Sequence, residues 1–279
     1  MSSLILTRLR QGMRTVPFPD IEPVLPERFR GLPIFDRARC PSGCTSCADA
    51  CPTEAITREQ GLQIDLGRCL FCPECVNSCP EGAIRFSAQY RLATSNRNDL
   101  VLTETETLRL AGRLAERSHR ILGRSLKLRQ VSAGGCNGCE ADVNALNNVV
   151  FDLGRFGIQF VASPRHADGV LITGAITQNM RLALEKTYSA IPEPKIVIVV
   201  GACAISGGPF REHPEVLNGV NDLFPVDLFV PGCPPHPLTI LDGLLRLLGK
   251  IEDSPDLPQL RGHAETHESA VGVRHGKQR

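Results

Sequence analysis

Cysteine placement constrains this chain more than any other feature. One run reads Cys40-x3-Cys44-x2-Cys47-x3-Cys51-Pro52, and a second reads Cys69-x2-Cys72-x2-Cys75-x3-Cys79-Pro80. Cys136, Cys139, Cys203 and Cys233 complete a set of twelve. No secretory signal pattern precedes the runs, and the cysteines fall at ligand spacings, so disulfides are the weaker reading. Paired C-x2-C motifs also build structural zinc sites, but the doubled eight-cysteine pattern with a proline after each run is better explained otherwise. Four thiolates are what one cubane iron–sulfur cluster requires, and twelve divide into three sets of four.

The second run has the bacterial ferredoxin spacing, and the first differs by one inserted residue. In that pattern the fourth cysteine of each run ligates the other run's cluster. The expected sets are therefore Cys40, Cys44, Cys47 and Cys79 for a first 4Fe–4S cluster, and Cys51, Cys69, Cys72 and Cys75 for a second. An internal repeat supports the pairing: Cys51-Pro52-Thr53-Glu54-Ala55-Ile56 recurs as Cys79-Pro80-Glu81-Gly82-Ala83-Ile84. Only Cys40 is out of step, and Gly43 is the residue able to absorb the extra length. Tight cysteine loops also turn backbone N–H groups inward, which offsets the negative charge of a cluster.

The chain divides at compositional breaks. Residues 1–35 read as an N-terminal arm. Its first fourteen residues join a short apolar stretch to Arg8, Arg10 and Arg14, and read as a helix that frays or packs on another subunit, with docking at a membrane as the alternative. Pro17, Pro19, Pro23, Pro26 and Pro33 then keep the arm extended. Residues 36–90 form a cluster-dense α+β module too small for an ordinary core and stapled by its metals. It is expected to persist on its own as a brown, soluble fragment. Residues 91–125 read as a connector, helical from Leu102 to Leu122. Residues 251–279 read as a disordered tail, whose His263, His267 and His275 lack tight ligand spacing.

Residues 126–250 alternate strand and helix patterns, which predicts a doubly wound (flavodoxin-like) α/β domain. Lys127–Ser132, Ile158–Ala162, Gly169–Thr173, Lys195–Val200 and Asp227–Val230 read as strands. Glu140–Phe151, Gln178–Ala190 and Pro237–Leu248 read as helices. Cys136 and Cys139 follow the first strand, Cys203 follows Lys195–Val200, and Cys233 follows Asp227–Val230. Such a fold binds ligands at the carboxyl ends of its strands, so these four thiols should meet at one edge as a third 4Fe–4S site. Four unconnected buried thiols would not explain why each follows a strand and sits near glycine.

Composition excludes other classes. The formal net charge of +1 and 5% aromatic content give no case for nucleic acid. The 42% hydrophobic and 22% charged content is that of a globular protein, and no apolar stretch approaches the ~20 residues of a membrane span.

Five separated motifs carry a resemblance: Gly134-Gly135-Cys136-Asn137-Gly138-Cys139-Glu140, Ser163-Pro164-Arg165-His166-Ala167-Asp168, Pro194-Lys195, Gly201-Ala202-Cys203 with Ser206-Gly207-Gly208, and Pro231-Gly232-Cys233-Pro234-Pro235. In this order they resemble the small subunit of energy-converting, membrane-bound nickel–iron hydrogenases, including that of formate hydrogenlyase, which is homologous to the B subunit of respiratory complex I. Residues 1–95, including Phe29-Arg30-Gly31, separately resemble the polyferredoxin-type subunit of the same hydrogenlyases, so the chain looks like a fusion of two neighbouring subunits. Complex I B subunits carry two adjacent cysteines where this chain separates Cys136 and Cys139 by Asn137 and Gly138; the separated form is the hydrogenase one.

The resemblance implies an electron-transfer subunit of an oxidoreductase with no complete active site on this chain, since no cysteine pair is left for nickel. It implies a hydrogenase large subunit as partner (nickel–iron, or like the D subunit of complex I), membrane-embedded subunits, and an electron donor such as a ferredoxin or a formate dehydrogenase. It implies a cytoplasmic position, peripheral to the inner membrane. A complex I-like oxidoreductase without nickel and a free electron carrier are the alternatives. Glu140 reads as a helix-start carboxylate, with a proton relay as the other role. Arg165 and His166 read either as positive charge near the third cluster or as a surface ion pair.

Overall fold

The two cysteine runs leave their segment little room for regular structure, and its elements are accordingly short. The computed structural model describes residues 2–58, 61–103, 108–114 and 125–251. Helix α1 (Ser2–Gln11) has exposed side chains along its described length and leads into an extended, proline-bearing arm. Strand β1 (Pro33–Phe35) follows, then α2 (Ser46–Asp49), β2 (Ile56–Thr57), β3 (Gln63–Asp65), α3 (Glu74–Asn77), β4 (Ile84–Phe86) and β5 (Val101–Thr103). β1 pairs antiparallel with β4, and β3 lies between β2 and β5 in a three-stranded antiparallel sheet. The internal repeat is visible in space: α2 and α3 carry Cys47 and Cys75 at the same place in each run.

The helical expectation for Leu102–Leu122 is corrected where it can be checked. Val101–Thr103 is strand, with Leu102 opposite Ile64, and residues 108–114 contain no helix. Helical propensity is a weak preference, and pairing with an open strand edge overrides it. The remainder of that expected helix, and residues 252–279 of the expected disordered tail, lie outside the described residues.

The second half builds β6 (Leu126–Ser132), α4 (Gly138–Ala145), β7 (Ile158–Phe160), β8 (Gly169–Thr173), β9 (Ile176–Thr177), α5 (Gln178–Ala190), β10 (Ile196–Val200), α6 (Ala202–Ser206), β11 (Val216–Leu217), β12 (Leu228–Val230) and α7 (Pro237–Leu247). Five parallel strands order as β12-β10-β8-β6-β7, the doubly wound flavodoxin-like arrangement. Every residue of β8 and β10 is buried, as their unbroken β-branched and leucine runs demand of strands covered on both faces. The expected helix Glu140–Phe151 is shorter, ending near Ala145 before a turn.

One face of the sheet, with Leu128, Leu171, Ile198 and Val230, packs against Val143 of α4 and the leucines of α7. The other face, with Val131, Ile172, Val197 and Val199, belongs to a continuous cluster that includes Leu32, Ile56, Ile64, Leu66 and Ile84 of the N-terminal module. That module therefore has a core after all, shared with the sheet. Thr94 closes the β12 edge by exchanging backbone hydrogen bonds with Phe229, at 3.0 and 2.9 Å. An exposed edge would invite pairing with another chain, and this strap covers it. Beneath the strap α7 is buried on all sides; its Asp242 and Arg246 pair at 2.8 Å, one helical turn apart.

Candidate iron–sulfur sites

All twelve cysteines are free thiols. Cys51, Cys69, Cys72 and Cys75, the expected second set, line one cavity walled by Ile56, Ile64, Ile84 and Phe86. Burial pushes the Cys69 thiol up to about 12, and charge at Cys75, Cys51 and Cys72 acts in the same direction. Burial likewise raises Cys75 to about 11. Thiols that repel one another on ionisation, lining an apolar cavity, have the chemistry that suits a polycationic metal core. Among the described residues no group of three or more His, Cys, Asp or Glu converges tightly enough for a single metal ion.

Backbone donors are aimed at the sulfurs. The N–H of Ala55 lies 3.2 Å from Cys51 Sγ, and that of Ala83 lies 3.2 Å from Cys79 Sγ. These are equivalent positions of the repeat. The N–H of Phe71 reaches Cys69 Sγ at 3.3 Å, on a backbone bent to φ +53. Each donation favours anionic sulfur. Around the expected first set, Arg58 Nη1 lies 3.4 Å from Cys40 Sγ and also donates to the carbonyl of Cys44. Gly43 adopts φ +80 with open space around it, a conformation suited to the one-residue insertion. Arg58 stands outside every cysteine motif, and nothing in the spacing points to it.

The expected third set gathers at the carboxyl edge of the sheet. Cys136 and Cys139 follow β6, with Cys139 in the first turn of α4; Cys203 lies in α6 after β10, and Cys233 follows β12. Asn137 takes the left-handed conformation, φ +71, which turns the chain between the two cysteines. Gly201 has φ +93, and any Cβ there would overlap the Sγ of Cys139. Burial raises Cys139, and Glu140, Cys203, Cys233 and Cys136 add to the effect. Cys203 rises to about 11 through burial, then charge at Cys233 and Cys136. Cys136 and Cys233 are exposed, so this edge opens to the surface.

The three groups are neighbours in series. Charge at Cys47, in the first set, is felt by Cys75 in the second, and charge at Cys72 in the second is felt by Cys233 in the third.

Other candidates are placed less as expected. Glu140 is in the first turn of α4, but its side chain is turned inward and buried. Burial works to raise its pKa, but donated hydrogen bonds from Ser132 and Thr173, each at 2.7 Å to Oε1, more than offset this and hold it below the usual value. Ser132 and Thr173 carry no motif that marks them in the sequence; a threonine ending the buried run Gly169–Thr173 was the available signal. Arg165 and His166 are exposed and precede β8. Gly169, which opens β8, pairs with Leu128 in β6, so both residues lie at the amino end of the strand. Five residues of strand, about 16 Å, separate that end from the cysteine edge.

The comparisons with known proteins agree with this geometry. Residues 136–247 match the family described as NADH ubiquinone oxidoreductase, 20 Kd subunit, and residues 39–83 match a 4Fe-4S dicluster domain. Formate hydrogenlyase subunit 7 of Escherichia coli is 42% identical over 153 residues, 55% of this chain and 59% of that protein. The chain thus spans about three-fifths of that relative's length. A probable membrane-bound hydrogenase subunit of Pyrococcus furiosus is 41% identical over 147 residues, 53% of this chain and 87% of that protein. The NADH-quinone oxidoreductase B subunit of Heliobacterium modesticaldum is 40% identical over 140 residues, 50% of this chain and 72% of that protein. With this identity sustained over most of two such relatives, and a dicluster domain ahead of the matched region, the chain belongs to the NADH ubiquinone oxidoreductase 20 Kd subunit family.

Proposed function

We propose that this chain relays electrons through three 4Fe–4S clusters to or from the nickel–iron site of a separate large subunit, in a membrane-associated hydrogenase complex. Cys40, Cys44, Cys47 and Cys79 would hold the first cluster, Cys51, Cys69, Cys72 and Cys75 the second, and Cys136, Cys139, Cys203 and Cys233 the third. When bound, each cluster would supply one-electron storage. The chain's own residues supply burial, donors to sulfur at Ala55, Phe71 and Ala83, and the serial order in which the second set couples to both others.

The observation that carries the hydrogenase reading is the turn between Cys136 and Cys139. Asn137, with φ +71, and Gly138 separate the two cysteines, while the opening of this loop at the surface suits a partner's active site. Arg8, Arg10 and Arg14 on the exposed N-terminal segment favour attachment at a membrane assembly; among the described residues no helix is long and apolar enough to cross a membrane.

A second reading, a nickel-free complex that reduces a quinone, is favoured by the 40% identity to a B subunit of NADH-quinone oxidoreductase. Co-purification with a partner large subunit decides between them. Hydrogen evolution from a reduced one-electron donor supports the first reading; quinone reduction without hydrogen, and a large subunit lacking terminal cysteine pairs, supports the second.

A further inference from the structure

The two halves of the N-terminal repeat are not equivalent, and the difference falls beside the ligands. Arg58 is the seventh residue after Cys51; the seventh after Cys79 is Phe86. The side chains do opposite things. Arg58 reaches back over the first run, within 3.4 Å of Cys40 Sγ and bonded to the carbonyl of Cys44. Phe86 lines the cavity of the second set and packs on Phe71, ring centroids 6.2 Å apart. A cation at one site is replaced by an apolar wall at the other.

We infer that Arg58 makes the Cys40, Cys44, Cys47 and Cys79 site the more easily reduced of the two N-terminal sites, so that an electron entering this half settles there first. The inference rests on the assignment of two four-cysteine clusters proposed above. Four thiolates around a cubane core already carry net negative charge, and reduction adds one electron and no proton. A fixed cation and a hydrogen bond donated to sulfur both favour the more negative state, whereas apolar burial disfavours it.

Other charges do not restore the balance. Arg30 and Arg68 donate to no sulfur of the second set: Arg30 is exposed and bonds the Phe71 carbonyl at 2.5 Å, and Arg68 pairs with Asp65 at 3.5 Å. Asp49 opposes Arg58 at the first site, but its carboxylate is bonded by Thr45 at 2.7 Å. Arg58 is only partly buried, so solvent screens it, and one charge at this range is worth about a tenfold change in the oxidised-to-reduced ratio, or about 59 mV for one electron.

The test is a redox titration followed by electron paramagnetic resonance on the full chain, reconstituted with iron and sulfide and reduced by dithionite. Cys40→Ser identifies the first site's signal by altering it. In the unmodified chain that signal is expected at higher potential than the second site's. Arg58→Gln should move it down by about 59 mV and leave the second in place, and Arg58→Lys should fall between the two. An unmoved first signal in Arg58→Gln, or an equal shift of both sites, overturns the inference. Should the Gln variant fail to hold iron, the unmodified chain decides: a first-site signal at higher potential than the second's supports the proposal, and one at equal or lower potential overturns it. A chain that never shows two N-terminal 4Fe–4S signals refutes the cluster assignment itself, which separates the two failures.

Discussion

Gly201→Ala should remove the third cluster site while sparing the other two. Gly201 has φ +93 and ψ 151, a region open only to glycine. Forcing another residue there costs about 1–3 kcal/mol. The added methyl would also overlap Cys139 Sγ, and overpacking of this kind costs about 1–3 kcal/mol more. The sum, about 2–6 kcal/mol, is a large part of the stability of an ordinary domain, and for a chain of this size it lowers the apparent melting midpoint by roughly 4–12 °C. If the backbone yields instead, Cys139 is displaced from Cys203 and Cys233. Either way, iron per chain should fall by about four, with the third signal lost from the paramagnetic resonance spectrum. Gly138→Ala is the control: it lies beside the same cysteines, but its Cβ would meet Cys136 Sγ at an ordinary 3.5 Å. A Gly201→Ala protein that keeps its full iron content and melts within a degree of the unmodified chain would refute this account of the loop.

Reconstitution should give about twelve iron and twelve sulfide per chain; zinc in their place, or only four irons, would sink the ligand scheme. Cys233→Ala should leave both N-terminal signals unchanged and abolish turnover with the large subunit, so normal activity would show that the third set is wrong. Ser206→Ala removes a buried hydroxyl 2.9 Å from the carbonyl of Gly67, 139 residues away, and should cost about 1–3 kcal/mol, read as a drop in denaturation midpoint. Burial holds the His236 imidazole below its ordinary 6.5, so the unfolded chain takes up the proton first as pH falls. Stability is therefore fully present above about 6.5 and declines as pH drops through that value toward the lower folded one. His236→Asn keeps an acceptor for the N–H of Leu238 without titrating, and should flatten the melting midpoint between about pH 7 and 5; an unchanged slope would count against the assignment.

The sheet was legible because β8, β10 and β12 are buried on both faces. Gly169–Thr173 and Gln178–Ala190 appear with the expected bounds, since an unbroken apolar run and a helical period leave little choice. The dicluster segment was legible because cysteine spacing is itself the chemistry, and residues 39–83 match a 4Fe-4S dicluster domain. Leu102 and Thr103 were misread as helix, because Leu102's partner Ile64 lies far back in the chain and local composition favours helix there. The inward turn of Glu140 depends on Thr173, 33 residues away, and no local pattern reports it. Arg165 and His166 sit in a motif yet fall at the far end of β8, because a motif records neighbourhood along the chain and not which end of a strand it occupies. The separable brown fragment expected of the N-terminal module conflicts with a core that Ile64 and Ile84 share with Val197 and Val199.

That shared core has a kinetic consequence. A donor–acceptor pair on separate proteins must meet before it can react, and the meeting rate falls with dilution. With the three proposed clusters in place, the apolar contact between module and sheet, clamped by the Thr94–Phe229 strap and the Ser206–Gly67 hydrogen bond, would make passage between the second and third of them a first-order event. Its rate should be independent of protein concentration and insensitive to the salt that dissociates subunits. Only the two ends of the proposed relay, where electrons would arrive and leave, would then remain open to control by what docks there.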